Sequence, residues 1–146
     1  MIENTDSLLE IIGLRKSLIK RDGNVSHAFA RIARGGIPKR HFEIVRKNTG
    51  LPVQTLSRVL HITPRTIQKK RASDLLDPFA SEKLLELSRL FARGIEVFED
   101  RNKFSRWLNL PCRALGNEVP LELLDTSFGF ELVNNELGRM EHGIIS

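Results

Sequence analysis

The sequence predicts an all-α protein: a helix-turn-helix bundle followed by a second helical region. Three observations carry that expectation. Apolar residues recur at steps of three and four, while period-two alternation is scarce. Pro stands just inside the starts of the apolar-periodic stretches, and Gly stands just past their ends. Charge is also divided along the chain. Residues 1–80 hold fifteen Lys/Arg against seven Asp/Glu, and residues 81–146 hold eight against eleven.

The first 35 residues form an N-terminal extension. Leu8, Leu9, Ile12 and Ile19 fit an amphipathic helix over 5–19, and Asp22-Gly23-Asn24 breaks it. Ser26 starts a shorter helix through Ala33, closed by Gly35-Gly36. The sequence leaves open whether this segment is a dimerising arm or a mobile tail.

Residues 36–76 carry three helices. Pro38 suits a first turn, where its missing N–H has no partner anyway, and Phe42 and Val45 then face inward. Thr49-Gly50 stops that helix. Pro52 opens the next, with Leu56, Val59 and Leu60 inside. Thr63 is the expected N-cap of the third, Pro64 its first residue, and Ala72 its approximate end.

Residues 77–146 are a C-terminal helical domain. Its longest helix begins at Asp77-Pro78 or Ser81, and Leu84, Leu87, Phe91, Ile95 and Phe98 make one apolar stripe. Glu86, Arg89, Arg93 and Glu96 sit opposite. Gly94 costs this helix ~1 kcal/mol relative to Ala and is a candidate for a close helix crossing. "FSRWLNL" carries Phe104, Trp107 and Leu108 on a short helix that Pro111 ends. Pro120 opens a brief turn with Leu121 and Leu124. Thr126 or Ser127 caps a final helix whose inner face is Phe130, Val133, Leu137 and Met140, and Gly143 ends it.

Bulk properties exclude several classes. Apolar runs are too short to span a membrane. The opening "MIENTDSLLE" has acids where a secretory signal needs cations, so a cytoplasmic protein is expected. The single Cys112 excludes an internal disulfide framework and a cysteine zinc cluster. His27, His41, His61 and His142 show no metal spacing, so neither a metal nor a cofactor is expected.

The stretch "GLPVQTLSRVLHITPRTIQKKR", Gly50 to Arg71, concentrates the chemistry of the basic half. Leu56, Leu60, Ile62 and Ile67 supply the apolar offsets that pack two helices near a right angle. His61 stands at the turn where Gly is usual, and His tolerates the left-handed region better than most residues. The second helix would enter a major groove, with Arg65 suited to guanine and Gln68 to adenine. Thr63 and Thr66 lie in its first turn. Arg58, Lys69, Lys70 and Arg71, with Lys39 and Arg40, suit phosphates. A solvated cationic helix on an ordinary bundle would show the same apolar offsets. The two capping prolines, the clustered cations and the charge division favour DNA.

The acidic half shows no catalytic set. Arg139, Glu141 and His142 imitate an acid/base site, but no nucleophile or phosphate loop accompanies them. The final helix exposes Glu131, Asn134, Asn135 and Arg139 and runs out in "EHGIIS". Ile144 and Ile145 either tuck back on the chain's own surface or insert into a partner.

From Gly36 onward the chain resembles the Xre/MbcA/ParS group of type II antitoxins. The most specific part is the run from Trp107 to Leu124, "WLNLPCRALGNEVPLELL", with "GRMEHG" from Gly138 to Gly143. The resemblance implies an Xre-like domain that binds operator DNA as a homodimer and represses its own operon. It also implies a C-terminal domain that joins a RES-domain toxin in a hetero-oligomer and blocks its NAD+-degrading site. Arg139, Glu141, His142, Gly143 and Ile144 would be the blocking segment, with Glu131 and Asn135 in the toxin-binding surface. The chain itself would not be an enzyme. A cationic pocket for a pyrophosphate would suit the acidic half. The alternative is a plain helix-turn-helix regulator whose acidic half dimerises or senses a ligand.

Overall fold

The computed structural model describes residues 5–20 and 23–143, all in helices, turns and loops apart from two isolated bridges. In chain order the helices are α1 Thr5–Ile12, α2 Ser17–Lys20, α3 Val25–Gly35, α4 Arg40–Thr49, α5 Val53–Leu60, α6 Pro64–Lys69, α7 Pro78–Phe98, α8 Arg101–Leu108 and α9 Ser127–Glu141. Two 3-10 turns, Arg113–Leu115 and Pro120–Asp125, lie between α8 and α9. The chain divides into two compact units, Met1–Phe91 and Ala92–Ser146, whereas the sequence suggested a boundary after residue 76. The reason lies in the packing of the first part of α7. Leu85 lines a groove with Phe29 and Ala33 of α3, and Ser81 Oγ accepts the Ile37 amide at 2.8 Å.

The N-terminal segment belongs to the first unit. The helix expected over 5–19 is broken at Gly13, which takes φ 78°. α1 packs on α4 with Leu8, Leu9 and Ile12 buried. The last carbonyls of a helix lack partners of their own. Here α4 supplies them. His41 Nδ1 donates to Ile12 O at 2.8 Å, and Asn48 Nδ2 donates to Glu10 O and Ile11 O at 3.2 and 3.0 Å. A carbonyl only accepts, so the His41 tautomer carries its proton on Nδ1.

Phe42, Val45, Leu56, Val59, Leu60 and Ile67 form the buried heart around α4, α5 and α6, as their spacing predicted. Burying each such side chain contributes roughly 1.5–3 kcal/mol. The segments flanking this trio pair with each other. Lys39 N donates to Asp74 O, Arg40 N to Ala72 O, and Leu76 N to Ile37 O, all between 2.8 and 3.0 Å.

α7 is buried over more than one stripe. Leu85 and Leu90 join Leu84, Leu87 and Phe91 inside, along with Ser81, Lys83 and Ser88. Lys83 is only 2% exposed. Its ammonium reaches Glu86 at 2.9 Å and lies 5.5 Å from the centre of the Phe79 ring. Burying a charge is tolerable only with partners of this kind.

In the second unit, α8 begins at Arg101, three residues before the predicted stretch, because Asp100 caps it by accepting Asn102 N and Lys103 N. Phe98, Phe104 and Trp107 form an aromatic cluster with ring centres 5.6–6.1 Å apart. Gly94 makes the close crossing. A Cβ there would stand 2.1 Å from Phe104 Cζ. α9 packs on the 120–125 turn with Phe130, Val133 and Leu137 buried, and Met140 is half-buried.

Candidate functional site

The basic helix pair is built as a helix-turn-helix. α5 ends at Leu60, and His61 takes φ 58°, ψ 39°, the left-handed conformation expected for the turn. Its backbone N–H donates to Arg58 O, and Ile62 N reaches back to Ser57 O at 3.0 Å. The His61 ring meets Phe79 edge-on at 5.1 Å, so an apolar neighbour supports the turn residue. Ser57 is buried, which lets α6 approach α5 closely.

α6 starts at Pro64 behind Thr63. The Thr63 hydroxyl accepts the Thr66 amide at 3.1 Å and donates to Thr66 Oγ1 at 2.9 Å. Both threonines are thus engaged in capping the helix, and their contribution to a ligand surface is to fix where that helix begins. Arg65, Gln68 and Lys69 are exposed on α6, and Arg58 is exposed on α5.

α6 is shorter than predicted. It ends at Lys69, and Lys70 is extended at φ −77°, ψ 143°. Lys70 and Arg71 are therefore off the second helix. Lys70 Nζ donates to Leu75 O at 3.3 Å. Arg71 is tied to Asp74, which accepts its backbone N–H at 2.7 Å and lies 3.6 Å from Nε. The Arg71 amide, followed by the charges of Arg71 and Lys70, holds the Asp74 carboxyl below the usual carboxylate range. An acid that stays ionised beside it offsets part of Arg71's charge.

The C-terminal unit presents α9. Thr126 caps it by accepting Gly129 N at 3.0 Å. Phe128, Leu132, Asn135 and Arg139 follow one another at helical spacing on one outward side. Phe128 is 80% exposed and Leu132 49%. Glu131 and Asn135 are exposed beside them, as expected. The two exposed apolar residues were missed in the sequence, although plotting them on a helical wheel places both outside the inner stripe. Large exposed apolar side chains at the same face mark contact surfaces more often than scattered ones do.

The predicted blocking segment is only partly free. Glu141 is engaged inside the unit, with Oε1 3.2 Å from Arg93 Nη2 of α7. Arg139 pairs with the buried Glu136 at 3.3 Å. His142 is exposed, and its Nδ1 donates to Gly138 O at 2.8 Å. Gly143 turns the backbone at φ 73°. Ile144 lies outside the described residues.

Among the described residues the histidines are engaged separately. His41 serves the end of α1, His61 the turn, His142 the end of α9, and His27 is exposed on α3. Among the described residues, no three His, Cys, Asp or Glu side chains are placed to hold a metal ion. No helix among them is long and apolar enough to cross a membrane.

Two family models match the chain, one to each helical region. Residues 28–89 match the antitoxin Xre-like helix-turn-helix domain, and residues 93–143 match the antitoxin Xre/MbcA/ParS C-terminal toxin-binding domain. The chain is also similar to an "Antitoxin Xre" of Yersinia enterocolitica, 30% identical over 98 residues, 66% of each chain. It is 36% identical to an "Antitoxin Xre" of Photorhabdus laumondii over 67 residues, 45% of each. A "Prs ADP-ribosylating antitoxin" of a Sphingobium species is 30% identical over 94 residues, 58% of this chain and 59% of that one. The similarity thus spans just under two thirds of the first relative's length and under half of the second's.

Proposed function

From a chain that joins an Xre-like helix-turn-helix domain to an Xre/MbcA/ParS C-terminal toxin-binding domain, and so has the build of an antitoxin of a toxin–antitoxin system, we propose a protein with two tasks. Its C-terminal end blocks a RES-type toxin that degrades NAD+, and its basic helix pair binds operator DNA and represses its own operon. The observation that carries the first task is the exposed side of α9, where Phe128 and Leu132 stand uncovered inside the matched toxin-binding region. An aromatic anchor of this kind is the usual centre of a protein–protein contact. The blocking segment, Arg139 to Ile144, follows on the same helix and beyond it.

Electrostatics supports the pairing. A cleft that holds the pyrophosphate of NAD+ needs cations, and the C-terminal part of the chain is net acidic. The pairs Arg93–Glu141 and Arg139–Glu136 neutralise locally the arginine on the last turns of α9 and the one that reaches Glu141. The decisive experiment is co-expression with the toxin partner. Cellular NAD+ is expected to stay at its resting level. Continued depletion in the presence of this chain would overturn the reading. The Sphingobium relative's name favours a second possibility, a partner that ADP-ribosylates a target. ADP-ribosylation also consumes NAD+, so the same α9 face would serve, and labelled ADP-ribose appearing on a protein would distinguish the two.

For the DNA task, we read α6 as the helix that enters the major groove, acting in the cytoplasm as one half of a homodimer. Two such helices in a dimer would read half-sites about 34 Å apart. Arg65 and Gln68 then face bases, while Lys69 and Arg58 meet phosphates. Arg65→Ala is expected to cost about 1–3 kcal/mol at one operator position and to relax base preference there. Lys69→Ala should weaken all sequences alike and lower the salt slope by about one. Binding titrations on operator and scrambled DNA at several salt concentrations separate them, and a uniform loss for both would reject the assignment.

A further inference from the structure

We propose that Arg93 is a positioning residue that aims the blocking end of the chain, an inference that rests on the reading that the end of α9 enters a toxin's cleft. Arg93 lies on α7, forty-eight residues before Glu141, and its Nη2 holds the Glu141 carboxylate at 3.2 Å. The guanidinium reaches it by crossing Gly138. A Cβ at Gly138 would stand 3.0 Å from the same Nη2, so a side chain there would push the guanidinium aside by a few tenths of an ångström.

The pair is poorly arranged for stability alone. Arg93 Nε is buried and hydrogen-bonds to nothing among the described residues. A buried donor without a partner offsets much of what the ion pair contributes. What the pair does fix is direction. It clamps the last turn of α9, where Gly138 O accepts both the backbone N–H and the Nδ1–H of His142. Gly143 then turns the chain at φ 73°. Glu141 therefore does not offer its charge to a partner's pocket. It serves as the anchor that sets the line along which His142 and Gly143 leave the helix.

The test uses the full chain with a RES-type toxin and two readouts: affinity of the complex, and NAD+ turnover of toxin saturated with this chain. Arg93→Ala is expected to raise turnover at saturation at least about tenfold, while affinity falls by no more than about tenfold, well short of the loss on removing residues 142–146, because Phe128 and Leu132 are untouched. The charge-swapped pair Arg93→Glu with Glu141→Arg should restore the block. Gly138→Ala is a second route to the same defect. It strengthens helix propensity and shifts the guanidinium by a few tenths of an ångström, so a smaller rise in turnover is expected, and it remains informative where Arg93→Ala fails to fold. Unchanged turnover in both single variants, or an affinity loss as large as that of removing residues 142–146, would overturn the role assigned to Arg93. A wild-type chain that does not block the toxin at all would overturn the functional reading, and this inference with it.

Discussion

Gly129→Ala is expected to unfold the C-terminal unit while leaving the N-terminal one intact. A Cβ at position 129 would lie 1.5 Å from the carbonyl oxygen of Leu123 and 2.5 Å from its carbon. Both are backbone atoms of the 120–125 turn, so no rotamer change relieves the clash. Relief requires lifting that turn off α9, which uncovers the buried Leu121, Leu124 and Phe130. Overpacking usually costs about 1–3 kcal/mol, and a clash with backbone belongs at or above the top of that range, at least about 4 kcal/mol. A small unit has little more than that to lose. Gly94→Ala makes a useful comparison. Its clash is with the Phe104 ring, a side chain with some freedom, so the loss should be smaller.

The molecule carries its own reporter for this experiment. Trp107 is the sole tryptophan and lies in the second unit, packed between Phe98 and Phe104. Its fluorescence follows that unit, while circular dichroism follows helices in both. In Gly129→Ala the Trp107 transition should vanish at 25 °C, and the first unit's helical signal should still melt cooperatively. A Trp107 transition displaced by less than about 1 kcal/mol would show that the close approach at Gly129 is not needed.

The contrast between Gly129 and the α5–α6 turn shows which features local sequence carries. Pro52, Thr63 and Pro64 mark helix starts by local chemistry, so the boundaries around His61 were legible. So was the inner side of α9, where Phe130, Val133 and Leu137 follow helical spacing. The end of α6 was not. Nothing after Lys69 breaks a helix by itself. It stops there because residues 72–76, a turn leading into a bridge at Leu75, hydrogen-bond to residues 37–40, and those bonds join segments more than thirty positions apart. The break of α1 at Gly13 and the capping of its end by His41 and Asn48 are of the same kind. A glycine within a helical pattern signals a close approach without naming its neighbour. Hence Gly94 was singled out, while Phe104 as its partner, and Arg93 over Gly138, needed three dimensions. Glu141 likewise has a partner that spacing could not name, Arg93, on a helix forty-eight residues earlier.

Removing residues 142–146 is expected to abolish inhibition of the toxin while leaving operator binding unchanged. The cut falls after Glu141, so the Arg93–Glu141 and Arg139–Glu136 pairs survive, and α9 keeps Phe130, Val133 and Leu137 in its core. The helix-turn-helix lies in the other unit and loses nothing. Seating Ile144 and Ile145 in a cleft would contribute about 3–6 kcal/mol of apolar burial. Fixing this segment in the cleft consumes part of this, leaving about 3 kcal/mol at most. That is roughly a hundredfold in the inhibition constant. With nothing left to fill the cleft, toxin saturated with the shortened chain should turn over NAD+ near its free rate, while the two proteins still co-purify through the Phe128–Leu132 face. A plain regulator with a dimerising or ligand-sensing second unit predicts no such separation. If the shortened chain protects NAD+ as well as the full one, inhibition must arise from the α9 face alone, and the end of the chain has no blocking role.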